Sequence, residues 1–151
     1  MWPFRKKYPP LSDLPQNGAW HVSQGTHNGR ALLVRVNTAA DPFRGHPDLS
    51  HQVGIAVPFK EADSNGMPVG TEIEELNAIE DQVFENFEAA AQSIVVAVVT
   101  TGGMREFVLY TRDPSGVESK YQEFKTKVDS GHEIQLMIQP DPKWNTFAQF
   151  R

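Results

Sequence analysis

The chain contains no cysteine, which removes disulfides, thiolate metal sites and cysteine nucleophiles together. No apolar run approaches the ~20 residues that a bilayer-spanning helix needs. The opening stretch Met1-Trp2-Pro3-Phe4-Arg5-Lys6-Lys7 lacks the apolar segment of a secretory signal. Its two aromatics and three cations could touch a membrane surface, although a frayed, solvated arm is the commoner fate of such a start. An excess of base is missing as well: the net charge is −5 over 151 residues. These absences lead us to expect a cytoplasmic protein, without a membrane or nucleic-acid partner and without a cofactor or metal.

What is present looks ordinary for one soluble domain, with 39% hydrophobic and 22% charged residues. Prolines crowd the start (Pro3, Pro9, Pro10, Pro15) and recur at Pro42, Pro47, Pro58 and Pro68. This predicts a flexible arm over residues 1–18 and a single α+β domain over residues 19–151. Charge is unevenly spread. Residues 60–92 hold nine acids and one base, Lys60, while the remaining residues hold 13 bases and 10 acids. A field of that sign repels nucleic acid and attracts basic surfaces.

Residues 20–23 and 32–36 alternate apolar and polar side chains around Asn28-Gly29, the signature of a hairpin. Residues 38–50 carry no periodicity and read as loop. In Val53-Gly54-Ile55-Ala56-Val57-Pro58-Phe59 the bulky side chains fall on one face, and the other face carries only small ones. Such a small face lets a backbone, the hairpin or a ligand come close. Thr71 with Glu74 makes a capping box, after which Ile73, Leu76, Ile79, Val83, Phe84, Phe87 and Ala90 recur at helical spacing. Residues 94–99 form an apolar, valine-rich strand suited to burial on both faces. Thr100-Thr101-Gly102-Gly103 turns the chain into a strand over 106–111. Asp113-Pro114 starts a second helix, with Val117, Tyr121, Phe124 and Val128 as its stripe and Gly131 as its stop. Residues 134–138 alternate as a last strand, and Trp144, Phe147 and Phe150 mark the tail.

From residue 53 onward the order is β-α-β-β-α-β. That is the ferredoxin-like unit, with two helices on one face of a four-stranded antiparallel sheet. A fold of this kind hosts many functions and names none. The doubly apolar strand 94–99 requires a cover on the second face. The N-terminal hairpin, the aromatic tail and another subunit are the choices.

No residue cluster spells out a reaction. His46-Pro47-Asp48-Leu49-Ser50-His51 offers two imidazoles and a carboxylate, yet its spacing matches no metal motif. The Gly102-Gly103 turn lacks the Lys-Ser/Thr of a phosphate loop. Phe107-Val108-Leu109-Tyr110 matches only the tail of the third-strand signature of RNA-recognition domains. Serines and histidines fall in loops, with no Ser-His-Asp order to recognise. Glu80 lies within the apolar arc of its helix. It is either a rim residue reaching water or a carboxylate in need of Arg105, Arg35 or a histidine.

Three segments together carry a family resemblance: Leu76-Asn77-Ala78-Ile79-Glu80-Asp81, the hairpin from Thr100 through Phe107 to Tyr110, and Asp141-Pro142-Lys143-Trp144. They resemble the bacterial family called Domain of Unknown Function 695, over most of the chain from Trp20 onward. In some members a module similar to the regulator of ribonuclease E activity B follows; the present chain ends at Arg151. The family implies no activity.

The expectation is therefore a non-enzymatic module that binds a basic protein. It would use Glu74, Glu75, Asp81, Glu85 and Glu88 on the acidic helix, or the open sheet face. The alternative is a small enzyme or ligand-binding domain, with a site near the small face of strand 53–59 and Glu80, Arg105 and His51 as its polar groups. Homodimerisation through the open sheet face is a third expectation.

Overall fold

Asn28 (φ 52°) and Gly29 (φ 77°) close a two-residue turn, joining β1 (Trp20–His27) to β2 (Arg30–Asn37). Positive φ at both positions is what makes the Asn-Gly pair favourable there. The computed structural model describes residues 7–15, 17–88, 92–128 and 130–151. Residues 1–6 of the expected arm and Ala90 of the expected helical stripe lie outside that set.

The hairpin does not cover the sheet but widens it. β2 pairs with β4 (Ser93–Thr101), giving one six-stranded antiparallel sheet in the order β1-β2-β4-β5-β3-β6. β5 is Met104–Thr111, β3 is His51–Pro58 and β6 is Gln135–Pro140. The segment expected as plain loop after β2 contains a 3-10 helix, Thr38–Phe43, started by the Asn37 side chain accepting from the Ala39 N–H.

α1 (Thr71–Phe87) and α2 (Pro114–Lys127) share one face of the sheet. Leu76, Ile79, Val83 and Phe87 from α1 and Val117, Tyr121 and Phe124 from α2 pack on Val53, Ile55, Val95, Phe107 and Leu109. Two expectations for α1 are corrected. Gly70 (φ 61°) is its N-cap, with no side-chain cap bond, so Thr71 and Glu74 form no capping box. Ile73, expected inside, is 48% exposed. For α2, Asp113 caps as expected by accepting from the Gly116 N–H at 3.0 Å. The helix ends at Lys127, ahead of Gly131.

The second face is covered over one half only. Ala40, Phe43 and Leu49, with Trp144 and Phe147 of the C-terminal segment, bury Val34, Val36, Ile94, Val96, Val108 and Tyr110. The short helix α3 (Asn145–Ala148) carries Phe147. The aromatic tail is thus the main cover, as one of the three choices held. Beneath it, β4 carries a bulge between Val95 and Ala97; its apolar side chains are buried on both sides.

Candidate functional site

The acids of α1 separate into two sets once their partners are known. Glu72 is buried against His132. Glu75 pairs with Lys60 at 3.1 Å, Glu80 pairs with Arg35, and Glu88 accepts from the Val95 N–H at 3.1 Å. Burial raises the Glu88 carboxyl to about 7, against the lowering effect of that hydrogen bond. Glu74, Asp81 and Glu85 are exposed, and among the described residues none of them has an ion-pair partner. At about 100° per residue these three fall on one stripe. Of the five acids expected as a contact surface, Glu75 and Glu88 are therefore engaged within the chain.

Glu80 is the paired carboxylate and not the solvated rim residue. Arg35 reaches it from β2 with both guanidinium nitrogens. Arg105 lies on the same helix-covered side, its Nε donating to Thr100 Oγ1 at 3.0 Å. Burial and the neighbouring Arg35 charge lower its pKa, while Glu80 acts in the opposite direction. Neither Glu80 nor Arg105 faces the small side of β3. His51 sits at the start of that strand, with its Nδ1 3.1 Å from Ser50 Oγ. The three polar groups expected to converge there do not do so.

The small face nevertheless forms a shallow groove of about 230 Å³, lined by Gly54, Ala56, Met104, Glu106 and Met137. A Cβ at Gly54 would meet Met137 Cε at 3.4 Å, with Glu106 Oε1 and Gln52 Nε2 each 3.6 Å away. Burial raises the Glu106 carboxyl, and among the described residues no hydrogen bond or ion pair engages it. Gln52 is 1% exposed. Its Oε1 accepts from Gln139 Nε2 at 2.9 Å, but its own Nε2 is buried without a partner among the described residues. Buried amide donors are normally satisfied, and this donor and the Glu106 carboxylate lie side by side at Gly54.

A second cluster escaped the sequence reading. His132, in the loop before β6, bonds Glu72 through Nε2, and its Nδ1 is 2.7 Å from Ser130 Oγ. Both side chains of the His132–Glu72 pair are enclosed, at 0% and 1% exposure. The second oxygen of Glu72 accepts from the Lys60 and Glu61 N–H groups at 3.2 and 3.3 Å. Serine, imidazole and carboxylate thus stand in a row. The serine is only two residues from the histidine, and both ring nitrogens are engaged by these partners, so the row ties α1 to the loop before β6.

The other sequence candidates are structural. His46 holds the Pro9 carbonyl at 3.1 Å through Nε2, and its Nδ1 accepts from the Asp48 N–H at 3.0 Å. Gly102 (φ 60°) and Gly103 (φ 79°) make the β4–β5 turn. Gly103 also exchanges backbone bonds with Phe59 and Gly66. Phe107 and Tyr110 are buried on opposite sides of β5.

The most connected set joins the tail to the sheet. The Trp144 ring stacks on Tyr110 at 4.1 Å and 10°, and its Nε1 donates to the Leu49 carbonyl at 2.8 Å. The Tyr110 hydroxyl donates to Asp141 at 2.7 Å and accepts from the Phe147 N–H at 3.2 Å. Asp141 also takes the N–H groups of Asn145 and Thr146. Burial would raise its carboxyl, yet these donors outweigh burial and hold it below the ordinary value. The Tyr110 hydroxyl is pushed upward, first by burial and then by Asp141.

Residues 18–150 match the family of unknown function DUF695. The chain belongs to that family. The DUF695 match begins just before β1 and ends within the tail, so it takes in the whole sheet and its cover. No curated protein matches the chain. The segments that carry the DUF695 resemblance prove largely architectural: Glu80 pairs with Arg35, Gly102-Gly103 makes a turn, and Asp141 and Trp144 fasten the tail.

Proposed function

We propose that this chain is a non-enzymatic protein-binding module, cytoplasmic in setting, that presents the Glu74–Asp81–Glu85 stripe of α1 to a basic partner. Its core, α1 and α2 on β4-β5-β3-β6, is read here as ferredoxin-like; that strand order and antiparallel pairing support the reading. The observation carrying the function is the division among the acids of α1. Four are held by groups within the chain, and three on one stripe have no cation partner among the described residues. Uncompensated like charges on a helix face repel one another, and a basic surface would relieve that repulsion.

The test is the triple variant Glu74→Lys/Asp81→Lys/Glu85→Lys, alongside the wild type, in affinity capture from the native host at low and high salt. Capture by the wild type should fall with added salt and be lost in the variant, with the fold intact by circular dichroism. An unchanged set of captured proteins removes the proposal.

A second reading places a small ligand in the groove beside Gly54. The Gln52 Nε2 and the Glu106 carboxylate, both without a partner among the described residues, favour it. A ligand with an acceptor for the amide and a cationic donor for the carboxylate fits that chemistry. An alkylammonium probe should shift the amide resonances of Gly54 and Glu106 in the wild type and lose this effect in Glu106→Gln. Identical titrations of the two proteins would exclude the reading.

A further inference from the structure

Two carboxylates and an imidazole converge where α1 begins. One oxygen of Glu72, one of Glu75 and one ring nitrogen of His132 all lie within 4.8 Å of one another. Glu72 and Glu75, three apart on α1, share one side of the helix, and His132 arrives from the loop before β6. In a tetrahedral site with bonds of roughly 2.0–2.2 Å, neighbouring ligand atoms are separated by about 3.4 Å. Small side-chain rotations bring the three donors to that spacing.

The atoms behind these donors are anchored. His132 Nδ1 is held by Ser130 Oγ at 2.7 Å, which turns Nε2 toward the carboxylates. Glu72 Oε2 is held by the backbone N–H groups of Lys60 and Glu61, which leaves Oε1 facing inward. Outer partners of this kind orient metal ligands and raise their affinity. Lys60 is the resident cation. Its ammonium bridges Glu75 and the Ser130 carbonyl, at 3.2 and 2.6 Å, and its side chain is 39% exposed. With a neutral imidazole, two carboxylates and one ammonium leave a surplus negative charge. A divalent cation with Lys60 swung out to water leaves none. Glu75, 36% exposed, provides the way in.

We infer that Glu72, Glu75 and His132 form a binding site for a divalent transition cation, with Lys60 as the displaceable occupant. One imidazole and two carboxylates, with no thiolate, suit Zn²⁺ with water in the fourth position. The bound ion clamps the start of α1 to the loop before β6. The site is separate from the exposed acidic stripe, and it stands whether or not that stripe binds a partner.

The probes are ZnCl₂ by calorimetry and Co²⁺ by visible absorption, on the chelator-stripped 151-residue chain. The wild type should bind one equivalent, raise its Tm, and give Co²⁺ the intense absorption of a four-coordinate ion. Glu75→Gln, a half-exposed position, should weaken binding by roughly tenfold to a hundredfold, with the fold checked by circular dichroism. Lys60→Met, which keeps all three ligands, should strengthen it. Because His21 and His27 are exposed imidazoles, the double variant His21→Ala/His27→Ala must bind as the wild type does. Absence of one-to-one binding overturns the inference. So does binding that Glu75→Gln leaves unchanged, or binding that disappears with His21 and His27.

Discussion

The second face of the sheet has a finished half and a bare half, and the two follow opposite rules. Over β2, β4 and the near end of β5, the polar groups of the cover are paired: Trp144 on Leu49, Tyr110 on Asp141, Asp141 on two further N–H groups. Over β3, β6 and the far end of β5 lie Gly54, Ala56, Met104, Glu106 and Met137, with 36% and 45% of the two methionines exposed. Here, among the described residues, the Gln52 Nε2 donor and the Glu106 carboxylate have no hydrogen-bond partner. The same sheet thus supplies a packed core on one side of β5 and a receptive surface on the other. The difference lies in where the tail is fastened.

The strongest way to break the comparison is to remove the fastener. Trp144 is 0% exposed and Met137 is 45% exposed. Trp144→Ala should cost about 3–5 kcal/mol in chemical denaturation, because it deletes the stack on Tyr110 and orphans the Leu49 carbonyl. Met137→Ala on the bare half should stay within about 0.5 kcal/mol. Equal costs would mean that the two halves are not distinct.

A finer test uses pH. The Asp141 carboxyl is held below its ordinary value in the folded protein. Its contribution is therefore fully present above the unfolded pKa, about 3.9, and is lost as pH falls through the lower folded value. Asp141→Asn removes charge-assisted acceptors from two helix N–H groups and Tyr110, and should cost about 1–3 kcal/mol near neutrality. The gap between wild type and variant should close on acidification. A gap that stays constant down to pH ~2 would show that the charge on Asp141 is immaterial.

The sheet was legible in the sequence, and the reasons are local. Asn28-Gly29 and Gly102-Gly103 demand positive φ, and the valine run of β4 has no solvent face to offer. The side-chain partnerships were legible only in part. Arg35 was on the short list for Glu80, because a carboxylate in an apolar arc requires a cation. The His132–Glu72 contact leaves no local trace, since it spans 60 residues and neither residue sits in a motif. The capping box failed for a conformational reason: Gly70 at φ 61° takes the cap position, and Thr71 is already helical. Ile73 fits the helical period but lies beyond the edge of the core, a matter of how far the sheet extends beneath α1.

A small effect is expected at the floor of the bare half, where it is also the most informative. Burial raises the folded-state pKa of Glu106, so between its unfolded and folded values the native chain holds more protons than the unfolded one. Stability then falls as pH rises through that window, and the full penalty is present above it. Glu106→Gln removes the charge and keeps the shape. The variant should match the wild type at pH ~4 and exceed it at alkaline pH by no more than about 1 kcal/mol, since the carboxylate is partly screened by water. A gain there identifies a residue kept at the expense of stability, as expected of a group that receives a ligand. A loss would mean that the ionised carboxylate supports the fold, and the bare half would then be a completed surface like its neighbour.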